Sequence, residues 1–334
     1  MQRWLARSIS LAVLTLLSSS AFAQYQLTNL TSNQSGQGNF TDPLLVNAWG
    51  IAYAPGGPFW VSDEGNGWST LYNGSGDPQS LQVVIPPASG SGPGTPTGLV
   101  YNGSSEFAID SWVSEFIFCS LDGAIIGWSH FSPDLGLIGA TQPGAVYTGL
   151  AITSKTSGNL LYAADSANNK IDVYNGTFQL VNSFTDTGLP AGYTPFNVQD
   201  IKGNVVVTFS NGVSGGYVDV FTEAGKLKVR VPKSSTLNQP WGIALAPSNF
   251  GPLSNTLLIG NNINTSSTIS GFSTKTGKFV GTIKDSSGKP IAIDQLWGIE
   301  FGGGSSSNGA TNQLFFTAGP NNNADGLFGV IEFK

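Results

Sequence analysis

The stretch Leu296-Trp297-Gly298-Ile299-Glu300-Phe301 decides the fold, because the chain repeats it with variations. Close copies with the same Trp-Gly-Ile centre lie at 49–51 and 241–243. Weaker copies are Pro96-Thr97-Gly98-Leu99-Val100-Tyr101, Tyr147-Thr148-Gly149-Leu150-Ala151-Ile152 and Phe196-Asn197-Val198-Gln199-Asp200-Ile201, in which Val198 aligns with the glycine. The aligned positions are 50, 98, 149, 198, 242 and 298. A strand-like repeat of roughly fifty residues is typical of a solenoid, a propeller or an array.

Each repeat contains short apolar segments separated by turn residues, a pattern that predicts four β-strands. In the first repeat the predicted strands are Trp49–Ala54, Phe59–Asp63, Ser69–Tyr72 and Leu81–Ile85. In the second they are Thr97–Tyr101, Phe107–Asp110, Glu115–Ser120 and Ala124–Ser129. Hairpin signals such as Asn73-Gly74 and Asn175-Gly176 separate the third and fourth strands.

The sixth repeat lacks its outer strand, because the chain ends at Lys334. At the other end of the chain, residues 25–31 alternate apolar and polar before any repeat begins. This spare strand can supply the missing one and leave few open sheet edges. We therefore predict an all-β fold, a six-bladed β-propeller with four-stranded antiparallel blades. A β-sandwich does not explain a strand repeated around a glycine, and a β-helix repeats at shorter periods.

The repeated motif also predicts how the centre of the propeller is packed. The recurrent glycine permits close backbone approach near the crowded axis. The neighbouring tryptophans, Trp49, Trp241 and Trp297, are expected to pack between blades rather than to stack on a ligand.

The first 23 residues have the pattern of a secretory signal peptide. Arg3 and Arg7 form a basic start, residues 9–17 form an apolar run, and Ala21-Phe22-Ala23 is a small-x-small cleavage site. The mature chain is expected to begin at Gln24, to be secreted or periplasmic, and to form one domain over 24–334. No other apolar run is long enough to predict a membrane span. We expect a monomer.

Composition excludes several classes of function. Without Arg3 and Arg7, 12 basic residues oppose 20 acidic ones, a net charge of −8. Nucleic-acid binding needs clustered Lys and Arg, so no nucleic-acid partner is expected. The only cysteine, Cys119, cannot form an internal disulfide and is predicted to be buried in a strand. The only histidine, His130, excludes a His-rich metal site and is expected to be structural or solvated.

The Trp-Gly-Ile/Leu-Ala strand, followed by an apolar strand ending in Asp or Asn, resembles the propellers of the NHL and YVTN type. With the signal peptide, the opening Leu27-Thr28-Asn29-Leu30 and the block at 47–52, the mature chain is similar to an uncharacterised family of secreted bacterial propeller proteins. The resemblance covers 24–334. It implies a fold and a location, and it implies no particular activity.

Polar residues recur where the second strand of a repeat ends and where the chain enters an innermost strand. Both places lie on one face of a propeller, where propellers usually bind ligands. The candidate metal ligands are Asp63, Glu64, Asp110, Asp165, Asn261 and Asp294. Oxygen ligands without His or Cys suit a hard cation, so Ca²⁺ is the expected metal, and no organic cofactor is indicated. The alternative is that these side chains cap their own turns.

Three functions follow from this face. The first is binding of a glycan, a peptide or a small molecule by loops that carry Trp68, Tyr193 and many Asn and Gly residues. The second is a calcium-dependent lactonase or esterase. Secreted propellers of the gluconolactonase type hold a cation in the channel mouth, and the nearest equivalents by position are Glu64, Asn197, Asn261 and Asp294. The third is an interaction protein of the cell envelope without a small ligand.

Overall fold

A computed structural model describes residues 24–153 and 158–334, which form six small antiparallel β-sheets arranged in a ring. The predicted six-bladed β-propeller is confirmed. The only helical segment in this part of the chain is the 3₁₀ turn Gly251–Leu253. The predicted signal peptide, residues 1–23, lies outside the described residues.

The strands run from the ring centre outward in blades 1 to 5. The chain begins with β1 (Tyr25–Ser32) and β2 (Phe40–Thr41). Blade 1 contains β3 (Ala48–Tyr53), β4 (Phe59–Asp63), β5 (Trp68–Tyr72) and β6 (Val83–Val84). Blade 2 contains β7 (Pro96–Tyr101), a separate hairpin of β8 (Ala108–Ile109) and β9 (Trp112–Val113), and then β10 (Phe116–Ser120), β11 (Ala124–Trp128) and β12 (Leu137–Thr141).

The remaining blades follow in chain order. Blade 3 contains β13 (Tyr147–Thr153), β14 (Leu160–Asp165), β15 (Lys170–Asn175) and β16 (Leu180–Phe184). Blade 4 contains β17 (Thr194–Asp200), β18 (Val205–Ser210), β19 (Tyr217–Phe221) and β20 (Leu227–Arg230). Blade 5 contains β21 (Pro240–Leu245), β22 (Thr256–Asn261), β23 (Ile269–Ser273) and β24 (Phe279–Thr282). Blade 6 contains β25 (Leu296–Phe301), β26 (Gln313–Ala318) and β27 (Leu327–Phe333).

The N-terminal strand closes the ring as predicted. Strand β1 pairs antiparallel with β27, from Tyr25 opposite Phe333 to Ser32 opposite Leu327. It therefore supplies the outer strand that blade 6 lacks, and β2 lies parallel beyond it. The Tyr25 hydroxyl donates a hydrogen bond of 2.8 Å to the Phe250 carbonyl, which ties this strand to blade 5.

The predicted strand order of blade 2 is wrong. Strand β7 pairs with β10, and the predicted second strand, 107–110, instead belongs to the separate hairpin of β8 and β9. The short alternation around Phe107 looks like a strand, but β10 buries all five of its residues between two neighbours and therefore takes the place in the sheet. The segments predicted as the third and fourth strands therefore lie one place further inward, as β10 and β11, and β12 becomes the outer strand.

The apolar core is divided among the interfaces between neighbouring blades. Trp60 of blade 1 stacks on Phe116 of blade 2, with ring centroids 4.2 Å apart. Phe59 of blade 1 packs on Phe315 of blade 6 at 4.4 Å. Such interfaces hold the blades at fixed angles, so the six innermost strands form a rigid channel wall.

The repeated glycines lie where one inner strand approaches the next. A Cβ on Gly98 would lie 2.4 Å from the backbone nitrogen of Leu150 in blade 3. In blade 4 the equivalent position is not a glycine. The alignment predicted Val198 at this position, but the pairing of Asn197 with Thr208 shows that Asn197 occupies it. The Asn197 amide instead spans the gap, donating a hydrogen bond of 2.8 Å to the Trp241 carbonyl of blade 5.

Candidate functional site

The central channel has two different ends. We call the upper end the one at which the six inner strands begin, and the lower end the one at which they finish. Turns between the second and third strands of a blade share the upper end, which is the face predicted to bind a ligand. Between the ends, a cavity of about 30 Å³ remains on the axis.

Three tryptophans form a cluster of their own at the upper end. Trp49 stacks on Trp297 with ring centroids 3.6 Å apart, and Trp241 meets both rings edge-on at 6.1 and 5.7 Å. Phe196 and Leu121 pack against them. The sequence predicted that these tryptophans pack between blades, and that prediction is wrong. Because strands of different blades converge at the axis, their first side chains meet one another there.

A left-handed residue precedes each of these tryptophans by two positions. Asn47, Gln239 and Gln295 have φ values of 48°, 50° and 50°. Each donates its backbone N–H to a turn of the preceding blade, at Asp325, Gly215 and Ile263 respectively. Non-glycine residues seldom adopt this conformation, because Cβ crowds the backbone. These strained residues lie in the connections between two blades. Each is followed two positions later by a tryptophan that lies over the axis.

Glu64 belongs to the polar rim around this cluster. The Asn47 amide donates a hydrogen bond of 2.5 Å to the Glu64 carboxylate and accepts one of 3.0 Å from the Trp297 indole N–H. Burial raises the pKa of Glu64, and the hydrogen bond from Asn47 partly offsets that rise. The carboxylate is therefore coupled through one amide to the tryptophan cluster.

Asp294 and an asparagine turn complete the rim on blade 6. Asn321, Asn322 and Asn323 are left-handed in succession, with φ values of 58°, 55° and 64°. Asp294 accepts backbone hydrogen bonds from Asn321 at 3.0 Å and from Thr265 of blade 5 at 2.6 Å. The Oδ1 atom of Asn323 and the indole nitrogen of Trp49 are buried, and neither has a hydrogen-bond partner among the residues that the structure describes. Unpaired buried polar atoms are uncommon in native proteins.

Three other predicted ligands are held within their own blades. Asp63 accepts a hydrogen bond of 2.8 Å from the Thr70 hydroxyl and is fully buried in blade 1, where burial raises its pKa. Asp165 accepts hydrogen bonds from the side chain and backbone of Asn168 in its own turn. Asn261 bonds the backbone of Asn238 and Thr236 in the connection into β21. Only the contacts of Asp165 are the turn capping that the sequence offered as the alternative, because Asp63 bonds a neighbouring strand and Asn261 bonds the connection into β21.

Asp110 is placed differently from the other candidates. It lies in the turn of the β8–β9 hairpin with a φ of 50°, in the connection that follows β7. It is therefore at the lower end, not at the end of a second strand. Among residues 24–153 and 158–334, no group of three His, Cys, Asp or Glu side chains is arranged to hold a metal ion.

The proposed lactonase residues are also separated. Asn197 spans blades 4 and 5, Asn261 is engaged within blade 5, and Glu64 and Asp294 lie on the neighbouring blades 1 and 6. The aromatic candidates Trp68 and Tyr193 lie on blades 1 and 4, on opposite sides of the ring.

The lower end contains a carboxyl group that sequence reasoning missed. Glu300 and Gln199 line both the axial cavity and a second cavity of about 220 Å³. Burial raises the pKa of Glu300 to about 7, and the Phe301 backbone partly offsets this rise. The signal was present in the repeat itself, because the positions equivalent to Glu300 in blades 1, 3 and 5 are Ala52, Ala151 and Ala244.

The remaining reactive residues lie away from the central channel. Cys119 is fully buried in β10, as predicted, and burial raises the pKa of its thiol to about 12. His130 is exposed and contacts Glu115 on the outer part of blade 2. No helix in the described part of the chain has the length and hydropathy needed to span a bilayer.

The fold defines the class: the chain is a six-bladed β-propeller. No protein-family model matches it. Uncharacterized protein R648 of Acanthamoeba polyphaga mimivirus is 27% identical over 93% of this chain and 81% of the viral protein. Uncharacterized protein L690 of the same virus is 26% identical over 93% of this chain and 86% of that protein. These relatives are viral, so a bacterial source stays a prediction.

Solved propellers share the fold at low sequence identity. A streptogramin B lyase has a TM-score of 0.56 and 12% identity, over 93% of this chain and 97% of that one. A PQQ-bound aldose sugar dehydrogenase from Streptomyces coelicolor has a TM-score of 0.56 and 16% identity, over 93% and 99%. A protein of unknown function from Bacteroides thetaiotaomicron has a TM-score of 0.60 and 12% identity, over 92% and 76%. At these identities the likeness concerns the fold alone.

Proposed function

We propose that the protein is a binding propeller that takes a small polar ligand, such as a glycan or a short peptide, at the upper end of its channel. The observation that carries the proposal is the strained, partly unpaired polar rim around the tryptophan cluster. Left-handed non-glycine residues cost about 1–3 kcal/mol each and persist mainly where the surroundings demand them, often at binding sites. A ligand that hydrogen-bonds this rim would gain from groups that the fold leaves unpaired.

Asn323 allows a test in which an effect on ligand binding can be distinguished from an effect on stability. Asn323→Gly removes the unpaired Oδ1 and relieves a φ of 64°, so we expect the melting temperature not to fall. We expect oligosaccharide or peptide binding, followed by tryptophan fluorescence, to weaken at least about tenfold, as the loss of a buried hydrogen bond requires.

The matched control is Asn255→Gly, which relieves a φ of 60° in the exposed connection after β21, at the lower end. It should leave binding unchanged. Equal effects of the two variants on binding, or no fluorescence response in a screen of oligosaccharides and tripeptides, would contradict the proposal.

A second candidate is the calcium-dependent lactonase or esterase. It is supported by Glu64 and Asp294, two carboxylates on neighbouring blades that face the same end of the channel. Ca²⁺ takes carboxylate and carbonyl oxygens and could polarise a lactone carbonyl. If this reading is right, EDTA lowers the melting temperature, Ca²⁺ restores it, and Glu64→Gln abolishes the response. A melting curve that ignores EDTA and Ca²⁺ excludes it.

We also propose that the mature protein is an exported monomer that begins at Gln24. Cleavage after Ala23 would leave β1 whole, and the Gln24 carbonyl accepts a hydrogen bond of 3.0 Å from Lys334. N-terminal sequencing of protein recovered from the periplasm or medium tests the cleavage site. Light scattering of the same material tests the monomer.

A further inference from the structure

The lower end of the channel opens into a cavity of about 220 Å³ that none of the functions above uses. Its lining residues include Gln199, Asp200, Lys202, Ile243, Leu245 and Glu300. Gln199 and Glu300 come from blades 4 and 6, and both also line the narrower axial cavity. A carboxyl and a carboxamide therefore converge at the mouth of a cavity whose lining combines polar groups with a smaller apolar part.

Glu300 is unfavourable for the fold where it stands. Alanine occupies the equivalent position in three other inner strands, so packing there does not require a long polar side chain. The Glu300 carboxyl forms no ion pair with any residue in the described part of the chain. Burying an unpaired carboxylate costs stability, and a nearby cation is what favours its charged form.

The charges around Glu300 favour a cation over an anion. Tyr53 approaches from β3, where burial raises the pKa of its phenol to about 12 and the nearby Glu300 carboxyl adds to the rise. From blade 4, Asp200 accepts a backbone hydrogen bond of 2.9 Å from Gly203, while Lys202 is exposed at the rim. The lining thus carries two carboxylates and one ammonium group, in a chain whose net charge is −6.

The shape of the cavity selects the kind of cation. Two carboxylates and one carboxamide, beside an ammonium group, supply fewer side-chain oxygens than the six to eight ligands that Ca²⁺ takes. They do match the donors of an ammonium group, and Ile243 and Leu245, which share one face of β21, provide an apolar patch for a short alkyl chain. We propose that the lower end is a second binding site, distinct from the upper end, which holds a small primary alkylammonium ion against the Glu300 carboxylate.

The test uses butylammonium chloride as the probe, with 1-butanol and sodium butyrate as neutral and anionic counterparts of equal chain length. Binding to the full mature chain is measured by calorimetry at pH 6 and pH 8, where the probe itself stays protonated. A carboxyl with a pKa of about 7 is roughly one-tenth ionised at pH 6 and nine-tenths at pH 8. The affinity for butylammonium is therefore expected to be about tenfold higher at pH 8, with no measurable binding of butanol or butyrate.

Glu300→Gln keeps the size of the side chain and removes its charge, so we expect it to fold and to lose both the binding and its pH dependence. The matched control is Glu115→Gln, which removes an exposed carboxylate elsewhere on the lower end. Equal affinity for butanol and butylammonium, binding that survives Glu300→Gln, or binding that is lost in Glu115→Gln would each overturn the proposal. The pH dependence of the unmodified protein tests it even if the Glu300 variant fails to fold.

Discussion

At the scale of single residues, two of the positions that depart from the repeat of the inner strands are Asn197 and Glu300. Glu300 introduces a carboxyl where alanine usually stands, and Asn197 introduces an amide where glycine usually stands. The two departures have opposite consequences for stability. Asn197 satisfies a carbonyl of the next blade, whereas Glu300 is partly buried and has no ionic partner among the described residues.

The Glu300 carboxyl should make stability depend on pH. Because its pKa is raised in the folded state to about 7, the folded protein holds the proton more tightly than the unfolded chain. The free energy of unfolding is thus expected to fall as pH rises from about 4.5 to above 7. Glu300→Gln removes this contribution, so above pH 7 the variant should be more stable by about 1–3 kcal/mol, and below pH 4.5 nearly equal.

Urea titrations of both proteins at pH 4, 6 and 8 measure the difference directly, and other titrating groups cancel in the comparison. A difference that is constant across this range would show that Glu300 is not the titrating group.

Asn197 should be sensitive to loss of its donor. Asn197→Asp replaces the amide that donates to the Trp241 carbonyl with a buried carboxylate, so we expect a loss of about 2–4 kcal/mol in the free energy of unfolding. The matched control is Asn211→Asp, because the Asn211 oxygen only accepts backbone hydrogen bonds, from Val213 and Ser214, and a carboxylate can do the same. Chemical denaturation compares the two, and equal losses would contradict the role assigned to the Asn197 amide.

At the scale of elements, strand β1 is the piece that makes blade 6 complete. Its pairing with β27 covers an edge that would otherwise present unpaired backbone groups. Its side chains also belong to the core: Tyr25 packs between Phe250 and Phe333 at 4.9 and 5.4 Å, and Leu30 is buried on the other face.

Deleting residues 24–32 should therefore destabilise the whole ring. Burial of Tyr25 and Leu30 alone contributes about 3–6 kcal/mol, and the exposed edge of β27 should promote association. Melting temperature and light scattering measure the two effects. Gln26→Ala, a change at an exposed position of the same strand, serves as the control and should alter neither. A truncated protein that melts and scatters like the intact one would mean that β1 does not close the ring in solution.

At the scale of the whole molecule, ring closure fixes the distance between neighbouring inner strands. Each strand packs against the next around the axis, so a blade cannot move outward without opening another interface. The glycine positions are points of close approach, and at Gly50, Gly98 and Gly242 the nearest opposing atom belongs to the backbone rather than to a flexible side chain.

Gly98→Ala tests this constraint. Its Cβ would lie 2.4 Å from the Leu150 nitrogen and 2.7 Å from the Gly149 carbonyl carbon, neither of which can move aside alone. We expect a loss of about 1–3 kcal/mol or more from overpacking. The control is Gly281→Ala in the outer strand β24, where the nearest atom is the flexible end of Leu253 at 3.3 Å. Equal thermal stability of the two variants would argue against a tight central ring.

Sequence alone determined the architecture, because a sixfold repeat of strand signals has few solutions that bury every apolar segment. The number of blades, the inner position of the Trp-Gly-Ile strand and the closure by residues 25–31 all follow from patterns that are local to each repeat. The burial of Cys119 was predictable for the same reason, because a small residue within a fully apolar strand is expected to lie in the core.

Only the tertiary structure decided where side chains point once the ring closes. The tryptophans meet across the axis, and Trp297 bonds Asn47, which is 250 residues away in the chain. Asp110 lies at the lower end, and not at the predicted upper end, because β10 and not the segment at 107–110 pairs with β7. Glu300 is a candidate binding residue only because the inner strands of the other five blades enclose the axial cavity that it lines. Such outcomes depend on contacts between distant segments, and alternation within a strand carries no information about them.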